Sequence, residues 1–128
     1  MCEEIAAPVN AAQPGKCLNL AGKTSLPQAL CLIAASRSTV SNDSGLMHVA
    51  AALGVPQVAI FGSSSPLHTP PLSARATVLW LKNDLAYQPP LDCAPCFERE
   101  CPLGHTRCLN DISARRVLDG LRQASRAG

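Results

Sequence analysis

The chain predicts an α/β fold, a parallel sheet flanked by helices, on three observations. Apolar runs of strand length alternate with segments whose apolar residues recur at helical spacing, which favours parallel strands joined by helical crossovers. Val58-Ala59-Ile60-Phe61 is a continuous apolar run, the pattern of a strand covered on both faces. Val40 to His48 reads as a strand, a turn of small polar residues and the start of a helix. Gly62 to Pro66 then forms a second donor-rich loop on the same sheet edge, the edge where open α/β sheets bind ligands.

The elements follow in order. Glu3 to Ala12 reads as helix until Pro14-Gly15 turns the chain, and Lys16-Cys17-Leu18-Asn19-Leu20 reads as a short first strand. Ser25 and Gln28 form a capping box, followed by Leu26, Ala29, Leu30 and Ile33 at helical spacing. Ser38 to Ser41 is the next strand. The helix after it carries Leu46, Val49, Ala50 and Leu53 as its buried stripe and stops at Gly54 and Pro56. Past the Val58–Phe61 strand, Pro66 to Ser73 is a proline-rich loop, Ala76 to Leu81 a further strand, and Asn83 to Asn110 a long irregular segment. Ala114, Val117, Leu118 and Leu121 mark a final amphipathic helix, capped by Asp111 or Ser113. There is no internal repeat and no low-complexity tract.

Composition narrows the function classes. A chain of 128 residues can bury one core, so a single domain over residues 1–128 is expected. With 47% hydrophobic and 16% charged residues it is too apolar for a disordered chain. No apolar run approaches the ~20 residues of a membrane span and no signal peptide opens the sequence, so a cytoplasmic protein is expected. A formal charge of +2 and 3% aromatic residues do not suggest a nucleic-acid partner. The one local asymmetry is the tail, where Arg115, Arg116, Arg122 and Arg126 face only Asp119. Such a face either lies lightly on an anionic membrane surface or is simply solvated.

Two segments carry candidate chemistry. In the turn after Val40, a helix start leaves unpaired N–H groups and a partial positive charge, for which a phosphate is the natural occupant. Asp43 or Ser44 caps the helix, or Asp43 orders the loop; Gly45 lets a ligand approach the backbone, Leu46 follows, and His48 on the first turn reaches a diphosphate oxygen. The competing reading is a well-capped helix in an ordinary βαβ unit. The second segment, residues 92–110, places Cys93, Cys96, Cys101 and Cys108 with His105 within sixteen residues. Four soft ligands on a loop of little secondary structure suit a structural zinc ion. Buried thiols acting as small hydrophobes, or labile disulfides, are the alternatives. Cys2, Cys17 and Cys31 stand alone and read as packing residues, and His68 has no evident partner.

Three stretches together resemble the carboxy-terminal half of the lipopolysaccharide heptosyltransferases, glycosyltransferase family 9: Asn19 to Leu26, Ser41 to His48, and Pro56 to Pro66. The run Cys93 to Cys108 resembles a segment found in many type II members. The resemblance covers the chain from about Cys17 to its end. It implies a Rossmann-like, sugar-nucleotide-binding half of a GT-B enzyme, with ADP-heptose as donor and the lipopolysaccharide inner core as acceptor. Residues Lys23 and Thr24 would border the adenosine, and Asp43, Ser44, Gly45, Leu46 and His48 the diphosphate. It also implies inverting glycosyl transfer that needs no cofactor, work at the cytoplasmic face of the inner membrane with peripheral contact to it, and a catalytic base on the amino-terminal half. No catalytic residue is therefore expected in this chain. Cys2 to Pro8 resembles the middle of a helix, so the domain is expected to be truncated at its amino end and the isolated chain inactive. Another family 9 transferase with a different donor sugar, or a non-catalytic metal-stabilised nucleotide-binding module, are the rival functions.

Overall fold

The computed structural model describes residues 1–127 and divides into two compact units, Met1–Cys31 and Leu32 onward. In the first, α1 (Cys2–Ala12) has Glu3 and Glu4 in its first turn, where carboxylates favour the helix dipole. Pro8 lies inside it and removes one N–H from the ladder. The expected strand at Lys16–Leu20 is not one. The Asn10 side chain occupies the groups a ladder would use, accepting the Cys17 N–H at 3.0 Å and donating to the Cys17 carbonyl at 2.8 Å. Leu20 to Lys23 then closes a tight turn, with Lys23 N–H donating to Leu20 C=O at 3.0 Å and Gly22 at φ +70° in the position that needs a left-handed residue. The Ser25/Gln28 capping box is formed: Ser25 N–H donates to Gln28 Oε1 at 2.8 Å and Gln28 N–H to Ser25 Oγ at 3.4 Å. It opens α2 (Leu26–Ala35), none of whose apolar residues is fully buried.

The second unit is built on three parallel strands in the order β1 (Thr39–Asn42), β2 (Gln57–Phe61), β3 (Ala76–Trp80). Thr39 pairs with Gln57, and Phe61 with Trp80, so the strands end at nearly the same level. Alternation along β2 assigns its two faces. Gln57, Ala59 and Phe61 point to α3 (Gly45–Ala52), where Met47, Ala59, Phe61 and Trp80 form the main core and Gln57 Nε2 donates to Met47 C=O at 3.2 Å. Burial of Phe61 or Met47 contributes about 1.5–3 kcal/mol each. Val58 points the other way, to α5 (Ala114–Arg126), which approaches so closely at Gly120 that a Cβ there would lie 3.0 Å from Val58 Cγ2. Ser113 is the cap of α5, accepting the Arg116 N–H at 3.2 Å, which settles the choice between Asp111 and Ser113.

In α3 the buried residues are Met47, Ala50 and Ala51, while Leu46 and Leu53 are 42% and 48% exposed. Apart from His48 the helix is apolar all round, so helical spacing alone did not choose which stripe turns inward. The long segment after β3 begins with a 3₁₀ turn (Leu81–Asn83) and contains the short helix α4 (Arg107–Asn110). It carries its own small core of Leu81, Leu91 and Ala94, against which Tyr87, Cys93, Cys108 and Ile112 pack. Polar ties close it: Lys82 Nζ donates to Leu91 C=O at 2.9 Å, Arg107 lies over the Tyr87 ring, and the Tyr87 hydroxyl donates to Asp111. Arg116 joins α5 to this segment through a 2.6 Å ion pair with Asp84. Among the described residues no helix is long and apolar enough to cross a membrane.

Candidate functional site

At the carboxyl ends of β1 and β2, the turn Asp43–Ser44 and the loop starting at Gly62 border a cleft of about 150 Å³, lined in part by Asn42, Asp43, Gly62, Ser63 and Ser64. Helix α3 starts at Gly45, two residues past Asp43. Ser44 holds the N-cap position with extended backbone (φ −158°, ψ 165°), yet neither it nor Asp43 gives the helix a side-chain cap. Met47 N–H bonds back to Ser44 C=O at 3.1 Å. The expected side-chain capping by Asp43 or Ser44 is thus corrected, while the other role expected of Asp43, ordering the loop, is the one it has. The Asp43 carboxylate instead accepts the Thr69 hydroxyl at 3.0 Å, which ties the turn to the proline-rich loop. A helix start without a side-chain cap keeps its first N–H groups and its positive dipole end for an anion.

The neighbouring residues of the second unit fit that use. Ser44, Gly45, Leu46 and His48 are exposed at this end of α3, and a Cβ built on Gly45 meets nothing within 4 Å. Asp43, held by Thr69, is half-buried. In the first unit, Lys23 is exposed on the turn closed by its own N–H, and half-buried Thr24 stands just before the α2 capping box.

The second candidate lies one loop away. Cys93, Cys96, Cys101 and Cys108 are all partly buried and free, and with His105 they line one cavity of about 80 Å³. Thr106 N–H donates to Cys101 Sγ at 3.4 Å; this contact, with further help from the N–H groups of Leu103, His105 and Gly104, holds the Cys101 thiol below its ordinary range. Burial pushes the Cys108 thiol up, and the facing Cys101, Cys93 and Cys96 push it the same way. His105 Nδ1 lies 4.0 Å from Cys101 Sγ but accepts the Arg107 N–H at 3.1 Å. Among the described residues, no three His, Cys, Asp or Glu side chains are grouped tightly enough to hold a metal ion as they stand. Cys2 and Cys31 are exposed rather than packed.

Several parts of this region were not evident from the residues alone. Gly62 is small because the cysteine-rich segment closes on it: a Cβ there would lie 2.7 Å from Leu109 Cδ2 and 3.3 Å from Cys108 Sγ. Gly62, Ser63 and Leu109 consequently line both cavities. Phe97 N–H donates to Ser63 C=O at 2.8 Å, and the Phe97 ring stacks on His68 at 5.5 Å, which gives His68 its partner. Only the glycine directly after a strand signalled a close approach in advance.

The comparisons with known proteins agree with this geometry. Residues 2–107 match the model for glycosyltransferase family 9 (heptosyltransferase). The chain is 48% identical over 118 residues to lipopolysaccharide heptosyltransferase 2 of Escherichia coli (strain K12), covering 92% of this chain and 32% of that protein. It is 44% identical over 109 residues to lipooligosaccharide heptosyltransferase 2 of Haemophilus ducreyi (strain 35000HP / ATCC 700724), covering 84% of this chain and 29% of that one. The solved structure of E. coli ADP-heptose lps heptosyltransferase II superposes with a TM-score of 0.74 at 44% identity, over 97% of this chain and 32% of that chain. The chain therefore spans about a third of the length of the curated relatives it matches.

Proposed function

From the premise that this chain belongs to glycosyltransferase family 9, we propose that it forms the donor-binding part of a heptosyltransferase, which moves heptose from ADP-heptose to the lipopolysaccharide inner core. The observation that carries this is the α3 start without a side-chain cap, which follows directly on the Asp43 turn, itself one side of a cleft shared with the Gly62 loop. In the reaction, the acceptor hydroxyl loses its proton to a base and attacks the anomeric carbon, and the bond to the diphosphate oxygen breaks with inversion. Negative charge grows on the departing ADP. The N–H groups of Gly45 and Leu46, with the positive end of α3 behind them, stabilise that charge where it develops. His48 adds a hydrogen bond from the first turn, and the adenosine role of Lys23 and Thr24 rests on the family resemblance alone.

No residue of this chain is assigned the role of base. The Asp43 carboxylate is engaged by Thr69 and orders the turn, while His48 belongs to the leaving-group side. The same proposal puts the work at the cytoplasmic face of the inner membrane. Three of the four tail arginines already have carboxylate partners, Arg115 and Arg122 on Asp119 and Arg116 on Asp84, so the expected attraction to an anionic surface is weak.

Calorimetry with ADP tests the proposal. Two or three charge-assisted hydrogen bonds at ~1.5–3 kcal/mol each, less at least ~4 kcal/mol for association, leave at most about 5 kcal/mol, so ADP should bind weakly, with a Kd on the order of 1 mM. ADP binding with no heptosyl transfer by the chain alone is the expected result. Equal affinity for uridine or guanosine diphosphate would contradict the adenosine assignment, and no binding at all would contradict the diphosphate site.

A further inference from the structure

The cysteine-rich segment is not used by the chemistry above, yet four of the seven cysteines of the chain line one small cavity in it. They come from Cys93-x2-Cys96-x4-Cys101-x6-Cys108 and line it together although the segment has only one short helix. Cys101 sits where backbone N–H groups converge, with Thr106 N–H at 3.4 Å from its sulfur. Such donors are what a thiolate needs to remain ionised, and they recur around metal-bound sulfur. The donor is itself held in an unfavourable conformation: Thr106 is β-branched and lies at φ +47°, ψ 28°. A strained backbone aimed at a sulfur marks a site shaped by something other than chain packing.

We infer that Cys93, Cys96, Cys101 and Cys108 bind one zinc ion as a four-thiolate structural site that orders residues 92–110. Each thiol gives up its proton to solvent as its sulfur bonds the metal, and no electron is transferred. The thiols surround the cavity without the tight grouping of a loaded site, so binding draws them together, as expected where metal affinity and local folding are one equilibrium. His105 is outside the ligand set. Its Nδ1 accepts the Arg107 N–H, so the neutral ring carries its proton on Nε2 and has no free lone pair to offer. Glu98 and Arg99 on the cavity wall cancel each other in charge, which leaves the backbone N–H groups as the main support for the thiolates. Through Gly62, Ser63 and Leu109 the ordered segment also backs one wall of the nucleotide cleft.

The test uses the full 128-residue chain, purified in reducing buffer, with zinc as the only added metal. Metal analysis should give one zinc per chain. A thiol reagent should then titrate three of the seven cysteines before chelation and all seven after it. X-ray absorption should show a shell of sulfur alone at ~2.3 Å. Chelation should open residues 92–110 to protease. His105→Ala and Cys31→Ser should keep the zinc, while Cys101→Ser should lose it. Metal-free protein whose seven thiols react alike overturns the inference without needing any variant to fold, and so does a nitrogen in the shell that disappears with His105→Ala. All of these readouts are made without nucleotide, so their failure leaves the donor-site reading untouched.

Discussion

Replacing Gly45 by valine separates ligand binding from folding. A Cβ at this position meets no atom within 4 Å, and the backbone is not in the left-handed region that would strain a side chain. In a helix, valine is if anything a few tenths of a kcal/mol better than glycine, so the change in stability should stay within about 0.5 kcal/mol. On the scale of ~2–8 °C per kcal/mol for domains of this general size, Tm should move by at most about 4 °C. The branched side chain nevertheless stands in the space in front of the α3 N–H groups. Losing two charge-assisted hydrogen bonds there costs about 3 kcal/mol, or ~100-fold in Kd. Differential scanning fluorimetry and calorimetry with ADP read the two quantities separately. Unchanged ADP affinity in a folded variant would refute the phosphate assignment, and a Tm loss well beyond this range would show that Gly45 serves the fold.

Two further substitutions test how the second unit is held together. Gly120→Ala gains about 1 kcal/mol of helix propensity but sets a methyl 3.0 Å from Val58, which is fully buried on the central strand and cannot give way. Overpacking of ~1–3 kcal/mol should win, so chemical denaturation is expected to show a net loss of about 1 kcal/mol, and a stabilised variant would contradict the packing of α5. Asp84→Asn should act through charge: the backbone N–H of Ala86 first, and then Arg116, hold this carboxyl below its usual 3.8 in the folded chain. A depressed folded pKa gives stability that is present above the unfolded value and lost as pH falls through the folded one. The variant should therefore melt below the wild type at pH 7, with the gap closing below pH ~4. A gap independent of pH would sink that account.

Much of the sheet was legible because its signals are local. The Ser25/Gln28 capping box, the apolar run of β2 and the Gly54–Pro56 stop each depend on residues within a few positions of one another. What escaped depends on partners elsewhere in the chain. Lys16-Cys17-Leu18-Asn19-Leu20 reads as a short strand, but the Asn10 side chain takes the backbone groups of Cys17 from seven residues away. Asp43 has the composition of a cap, and only the fold brings Thr69 near enough to claim its carboxylate. The closeness of Gly62 to Leu109 and the stacking of His68 on Phe97 arise when the cysteine-rich segment folds back over β2, which no periodicity encodes. The phase of α3 was ambiguous for a different reason, because both possible stripes are apolar.

Titration of ¹⁵N-labelled chain with ADP, followed amide by amide, tests the central claim most directly. A diphosphate seated at the start of α3 should shift the Gly45 and Leu46 amides most, with Ser63 and Ser64 across the cleft next, and all four should saturate on one isotherm. Shifts confined to other surfaces, or none at millimolar ADP in a folded chain, would contradict it.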